Sequence, residues 1–239
     1  MQRKNFIQRF FYPAGVTNTI LLICVLVFVA TQLLQNPYPF TTIDNNLVAR
    51  GGKIATYMVL NGEWYRLVTA LFLHGDLMHL AMNGLTIYYI GHELEPLLGH
   101  WRFTILYLVA GIGGNLVSFA FMQPNVISIG ASGAGFGLFG CYLVLAYLYP
   151  NQSGLRQRAM TFGTLVVINA VMSFTSPDID SWAHGGGLVF GGLITYVLQL
   201  PNSNQRAWWQ RLLGLVLIGA LAVFCYQLGL QRFFNFFRN

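Results

Sequence analysis

Charge is what this sequence has least of. Only 8% of its 239 residues are Asp, Glu, Lys or Arg, against about a quarter in an ordinary soluble domain. Hydrophobic residues make up 55% and the mean hydropathy is +0.56. That balance points to a membrane protein before any motif is read. The charge that is present is mostly basic, 13 Lys and Arg against 7 Asp and Glu. It is dispersed, with no basic run or interleaved aromatics to follow a phosphate backbone. Nucleic acid is therefore excluded as a partner, and the cations read as topology signals.

Cysteine is also scarce. Cys24, Cys141 and Cys225 each fall inside an apolar stretch, and none has C-x-x-C or metal-ligand spacing. They read as packing residues, and neither metal nor cofactor is expected. No cleavable leader is read at the N-terminus. Its apolar run, Val16 to Leu34, is longer than a signal core and has no small-residue cleavage site.

Long apolar runs are plentiful. A spanning helix needs roughly 20 apolar residues, and seven candidates follow: Val16–Leu34, Leu71–Ile90, Phe103–Met122, Ile129–Leu148, Ala159–Phe174, Ser181–Leu200 and Leu212–Leu230. The second and sixth carry polar residues that hydropathy alone would reject. The fifth is short unless its flanks extend it. The segment from Gln35 to Ala70, with Pro37, Pro39, Trp64 and Tyr65, is too long and varied for a plain linker and is expected to fold on the membrane surface.

The expected architecture is an all-α, polytopic helical bundle. Residues 1–15 form a short cytoplasmic N-terminus, 16–200 a core of six spans, and 201–239 a connector with a seventh. With the N-terminus inside, the inner segments hold eight cations: Arg3, Lys4, Arg9, Arg102, Arg156, Arg158, Arg206 and Arg211. The outer segments hold five: Arg50, Lys53, Arg66, Arg232 and Arg238. The bias favours this orientation, although Arg232 and Arg238 pull the other way. The outer loop before the sixth span has only acids, Asp178 and Asp180.

Polar groups inside spans are costly and mark function by default. Here they fall in three places: His74, His79 and Asn83 in the second span, Ser132 in the fourth, and His184 in the sixth. These three spans run from outside to inside, and each cluster lies near the start of its span. All three clusters therefore share one depth below the outer face. His79 and Asn83, spaced i,i+4, share a helix face. So do His184, Gly187 and Gly191. Gly133, Gly137 and Gly140 form a small-residue stripe beside Ser132. Such stripes let membrane helices approach closely, and so bring a short serine within reach of a histidine.

Serine is a poor nucleophile until a base takes its proton, and histidine suits that work near neutral pH. No acid in the spans is placed to orient His184, so the pattern reads as a dyad. His79 and Asn83 supply side-chain N–H groups for an oxyanion, and the Ser132 amide lies at a helix N-terminus, where negative charge is favoured. Taken one at a time, each of these residues is more often a packing or structural group. Their joint placement carries the reading. Gly130-Ala131-Ser132-Gly133 is not the G-x-S-x-G elbow of soluble hydrolases, since residue 134 is alanine.

At these residues the sequence resembles the rhomboid intramembrane proteases. GASGAGFG (Gly130–Gly137) matches the family's GxSG, and HGDLMHLAMN (His74–Asn83) its H-x4-H-x3-N. AHGGGLVFG (Ala183–Gly191) matches A-H-x-x-G-x-x-x-G, and EWYR (Glu63–Arg66) is close to its tryptophan–arginine loop motif. The motifs fit in order across Val16 to Leu200. The resemblance implies Ser132 as nucleophile, His184 as base, and His79 and Asn83 as oxyanion-hole side chains. It further implies a structural role for His74 between the second helix and the outer loop, a packing role for Phe136 against His184, and loop-holding roles for Glu63 and Arg66. Phe136 lacks the hydroxyl of the tyrosine some relatives carry there.

The function implied is a serine endopeptidase of the membrane. It hydrolyses peptide bonds in or near transmembrane segments of protein substrates, within a lipid bilayer and close to its outer face. A bacterial inner membrane is the expected location. Two alternatives remain: an inactive rhomboid-like protein that binds membrane clients, and a channel or transporter with a histidine proton relay. No internal repeat supports the latter. Oligomeric state is not legible in the sequence.

Overall fold

The computed structural model describes residues 14–33, 49–175, 179–201, 203 and 206–238. Most of the expected N-terminal segment, with Arg3, Lys4 and Arg9, lies outside the described residues, as do Leu34, Pro37, Pro39 and Asp178. Among the described residues there are nine α-helices and no named strand. They are α1 (Gly15–Leu33), α2 (Ala55–Leu60), α3 (Arg66–Thr69), α4 (Leu77–Leu98), α5 (His100–Phe121), α6 (Ser132–Leu148), α7 (Ser153–Thr175), α8 (Ser181–Leu198) and α9 (Trp208–Arg238).

The seven long helices correspond to the seven expected spans. By length and composition, α1, α5 and α9 qualify as membrane-crossing on their own. The spans that carry site candidates do not: polar residues lower the hydropathy of α4 and α8, and α6 is apolar but only 17 residues long. The architecture is an all-α membrane bundle.

The helix ends differ from expectation for an identifiable reason. Helix α4 starts at Leu77 rather than Leu71, because Asp76 is its N-cap and accepts a hydrogen bond from the His79 amide at 2.8 Å. His74 therefore precedes the helix instead of lying in it. At the other end α4 continues past Ile90 to Leu98, through Glu93 and Glu95. These acids are tolerated because both are paired. Glu95, fully buried, accepts hydrogen bonds from the Val16 and Thr17 amides and the Thr17 hydroxyl at the start of α1. Glu93 accepts from the Tyr142 hydroxyl and pairs with Arg158 at 2.9 Å. That pairing also lets α7 begin at Ser153, ahead of the expected Ala159. Helix α6 starts three residues later than expected, because Gly130 at φ +115° breaks helical geometry.

Helix α8 packs between α5 and α6 as the centre of the bundle, with α7 on α6 and α1 on α4. Its contacts are backbone on backbone. A Cβ on Gly187 would run into the Gly133 carbonyl, and one on Gly191 into the backbone of Gly137. A Cβ on Gly140 would strike the Leu188 carbonyl. Between spans there is little hydrophobic drive in lipid, so close van der Waals approach supplies the association. Before α4, Arg66 is buried against the Glu63 carboxylate and the Gly52 carbonyl, 2.8 Å away. The Arg66 hydrogen bond holds the Glu63 carboxyl below its usual range.

Gly187→Ala is expected to destabilise the protein by about 1–3 kcal/mol through overpacking at the α6–α8 contact. Gly185→Ala, where a Cβ meets nothing within 4 Å, is expected to be neutral or to stabilise by about 0.5–1 kcal/mol. Thermal unfolding in detergent compares them, and equal melting temperatures would contradict this account of the packing.

Candidate active site

The glycine contact determines what lies at the N-terminal ends of α6 and α8. Ser132 is the first residue of α6 and is half-buried. Ala131, its N-cap, offers no side-chain acceptor. The amides of the first turn of any helix have no intrahelical partner, so uncapped N–H groups gather around Ser132. Its neighbour Gly133 faces the carbonyl of Ala183, a Cβ there falling 3.3 Å from that oxygen. Residues 133 and 183 are thus in contact, each one position from Ser132 or His184.

His184 sits in the first turn of α8 and is half-buried. Its ring stacks on Phe136, with centroids 4.2 Å apart and 10° between planes. Phe136 is one helical turn below Ser132, so this stack holds the imidazole over the face of α6 that bears the serine. The ring atom Nδ1 of His184 is buried with no hydrogen-bond partner in the protein. Aromatic stacking, not a hydrogen bond from a carboxylate, holds the ring itself. Ser132 and His184 make no hydrogen bond to each other.

The third part of the site comes from α4. Gly130 has a positive φ, and a Cβ there would lie 2.6 Å from His79 Nε2 and 3.3 Å from Asn83 Nδ2. The link before Ser132 is therefore pressed against both side chains. Asn83 is buried, and its Nδ2 has no partner. A buried amide N–H without an acceptor is costly, and this one lies close to the uncapped helix start that bears Ser132.

His74 is buried, and its ring meets His79 edge-on at 5.1 Å. Neither ring nitrogen makes a hydrogen bond, so it joins the link to α4 by packing alone. Gly187 and Gly191 act through the interhelical contact and do not face the site. The structure thus gathers Ser132, His184, His79, Asn83, Phe136 and Gly130 around one point and leaves Gly187 and Gly191 behind it as spacers.

Sequence reasoning missed a polar cluster next to this point. Asp180 is the N-cap of α8 and accepts from the Ala183 amide at 2.9 Å. Its other carboxylate oxygen accepts from the hydroxyls of Ser118 and Ser128, and Lys53 lies 3.9 Å away. A signal existed: an Asp immediately before an apolar helix is an N-cap signature.

Gly130→Ala is expected to slow the reaction of Ser132 with a fluorophosphonate by about 100-fold, the scale of an ångström-level misplacement, while the protein stays folded. Labelling rate and melting temperature, measured on the same sample, check it.

Comparison with known proteins follows the same lines. Residues 61–201 match the Rhomboid domain family model. The chain is 38% identical over 195 residues to Rhomboid protease GluP of Bacillus subtilis (strain 168), an alignment covering 80% of this chain and 36% of GluP. It is 39% identical over 166 residues to RHOMBOID-like protein 4 of Arabidopsis thaliana, covering 67% of this chain and 41% of that protein. It is 37% identical over 139 residues to Putative rhomboid protease YdcA of Bacillus subtilis (strain 168), covering 58% of this chain and 69% of YdcA. The chain thus spans less than half the length of GluP and of RHOMBOID-like protein 4.

Proposed function

This chain belongs to the rhomboid family, and from that membership and the geometry of its site we propose that it is an intramembrane serine endopeptidase working through a Ser132–His184 dyad. It is a multi-pass integral membrane protein. In the proposed reaction, Ser132 Oγ attacks the carbonyl carbon of a peptide bond in or near a transmembrane segment, and His184 takes the hydroxyl proton. The negative charge that develops on the carbonyl oxygen is received by Asn83 Nδ2, by a protonated His79 Nε2 and by the backbone amide of Ser132. Collapse of the tetrahedral intermediate breaks the C–N bond, and His184 returns its proton to the leaving amine. Water, deprotonated by His184, then hydrolyses the acyl-serine.

One observation carries this reading. Asn83 Nδ2 is buried, unpaired and packed against Gly130, two residues before Ser132 at the uncapped start of α6. A structural asparagine would have satisfied that amide. The substrate class proposed is a membrane protein presenting a transmembrane segment near the outer face. For the orientation, N-terminus inside, the support is the excess of Lys and Arg on the inner segments, eight against five. A bacterial inner membrane is the proposed location.

A second reading, an inactive client-binding relative, draws on the lack of a Ser132–His184 hydrogen bond. Catalytic hydrogen bonds are often long before substrate binds, so this does not outweigh the donor arrangement. Ser132→Ala and His184→Ala are each expected to abolish both cleavage of a transmembrane substrate and fluorophosphonate labelling. Asn83→Ala is expected to lower kcat by about 100- to 1,000-fold with the fold intact. Cleavage that persists in Ser132→Ala would sink the protease reading.

A further inference from the structure

Lys53 is 1% exposed. Its backbone pairs with Ser128 in both directions, at 3.0 and 2.9 Å, as an isolated antiparallel bridge. Its ammonium donates to the Ser118 hydroxyl on α5 and lies 3.9 Å from Asp180 Oδ2. Ser118 and Ser128 both donate to that same oxygen, and Asp180 Oδ1 accepts from the Ala183 amide. Ser128 stands four residues before Ser132, and Asp180 four residues before His184. A single carboxylate therefore grips the segment that leads into the nucleophile and the segment that leads into the base. Lys53 fixes that carboxylate to the outer loop.

We propose that Lys53 and Asp180 are positioning residues that set His184 against Ser132, a role that rests on the Ser–His reading above and adds a control to it. Stability alone does not account for the pair. A buried ion pair is often no better than apolar residues of the same volume, because desolvation offsets the attraction. What it provides is direction. Hydrogen-bonded to Ser118, Ser128 and the Ala183 amide, the carboxylate has one orientation, and the two segments it joins have one register.

The pair also carries a pH signature. Burial pushes the Lys53 ammonium from its ordinary 10.5 down to about 8, with Asp180 opposing the fall. Burial raises the Asp180 carboxyl, but Lys53, the two serine hydroxyls and the Ala183 amide outweigh it and hold the group below its usual range. From α8 Lys53 faces one carboxylate, Asp180. From α5 and the link it faces the Ser118 and Ser128 hydroxyls. The Arg66–Glu63 pair reaches the same loop through the Gly52 carbonyl. Above about 8 Lys53 loses its proton and the clamp loses its positive half. The fold does not weaken for that reason. Between the folded and unfolded values the unfolded chain binds more protons than the folded one, so this group's contribution to stability rises with pH. Loss of activity at alkaline pH is therefore uncoupled from loss of structure.

The test uses the full chain in detergent, the fluorophosphonate labelling rate of Ser132, and the melting temperature, across about pH 6 to about pH 10. For the wild type the labelling rate is expected to fall along an alkaline limb centred at about 8, with no matching fall in melting temperature. Lys53→Met is expected to label about 10- to 100-fold more slowly with the limb gone. Asp180→Asn, which keeps an N-cap acceptor, is expected to slow labelling similarly, and in peptide cleavage to lower kcat with KM unchanged. Wild-type rates and a retained limb in both variants would overturn the proposal, as would rate losses no larger than the loss of folded protein. If neither variant folds, a wild-type limb that is absent, or that tracks unfolding, overturns it. No labelling of the wild type at any pH would instead sink the Ser–His reading.

Discussion

The contact of α6 with α8 through bare backbone is the constraint on which the rest of the structure depends. Gly187 against Gly133 and Gly191 against Gly137 leave no room for a side chain between the helices. In lipid the surrounding solvent is as apolar as the helix surface, so two spans adhere only where they fit closely. The same closeness is a chemical requirement. Serine carries its hydroxyl one carbon from the backbone, and a base on a neighbouring helix reaches it only if the axes nearly touch. For the proposed Ser132–His184 dyad, packing and catalysis therefore ask for the same residues. That is why the glycines lie one to five residues after Ser132 and three to seven after His184, along the seam.

Pairing of polar groups divides the structural from the functional. Glu95 takes three hydrogen bonds from the start of α1, Glu93 joins Tyr142 and Arg158, and Asp180 gathers two serines, Lys53 and an amide. Each costly group in or near the bundle is neutralised by neighbours. Asn83 Nδ2 and His184 Nδ1 are not. Tyr107 and Gln199 also have unpaired buried oxygens, and His74 and Arg206 unpaired buried nitrogens; of these only His74, against the His79 ring, lies near the site. Convergence separates the site from these: Asn83 Nδ2 lies against Gly130 and the His184 ring on Phe136, the two residues flanking a half-buried serine at an uncapped helix start.

The sequence made much of this readable, for a physical reason. A histidine, an asparagine or a serine in a span is anomalous against an apolar background, and a common depth follows from counting residues from the span ends. Ser132, His79, Asn83 and His184 needed no more than that. The glycine faces were readable because period 3.6 maps directly onto a helix surface. Helix ends were not, because they depend on partners distant in the chain. Nothing local to Glu95 announces that Thr17 will satisfy it, so the apolar run was cut at Ile90. Lys53 was misjudged in the same way. Counted as a topology signal, it is a buried group whose partner, Asp180, is 127 residues away. Asp180 itself was seen only as loop acidity.

The seventh span had no role that sequence reasoning could name, and its packing supplies one. Helix α9 gives no side chain to the site. Its C-terminal half lies against α5 and the loop that bears Trp64. Trp64 is held between Phe119 and Tyr226, with ring centroids 5.5 and 5.1 Å away, and Arg232 donates to the Ala120 carbonyl. Phe119 and Ala120 directly follow Ser118, the hydroxyl between Lys53 and Asp180. Trp64 stands two residues before Arg66, and Arg66 holds the Gly52 carbonyl next to Lys53. Both supports of the cluster, the end of α5 and the loop, are thus pressed into place from the same side. A helix on the outside of the bundle restricts where Lys53 can be, Lys53 restricts Asp180, and Asp180 fixes the turn from which His184 extends.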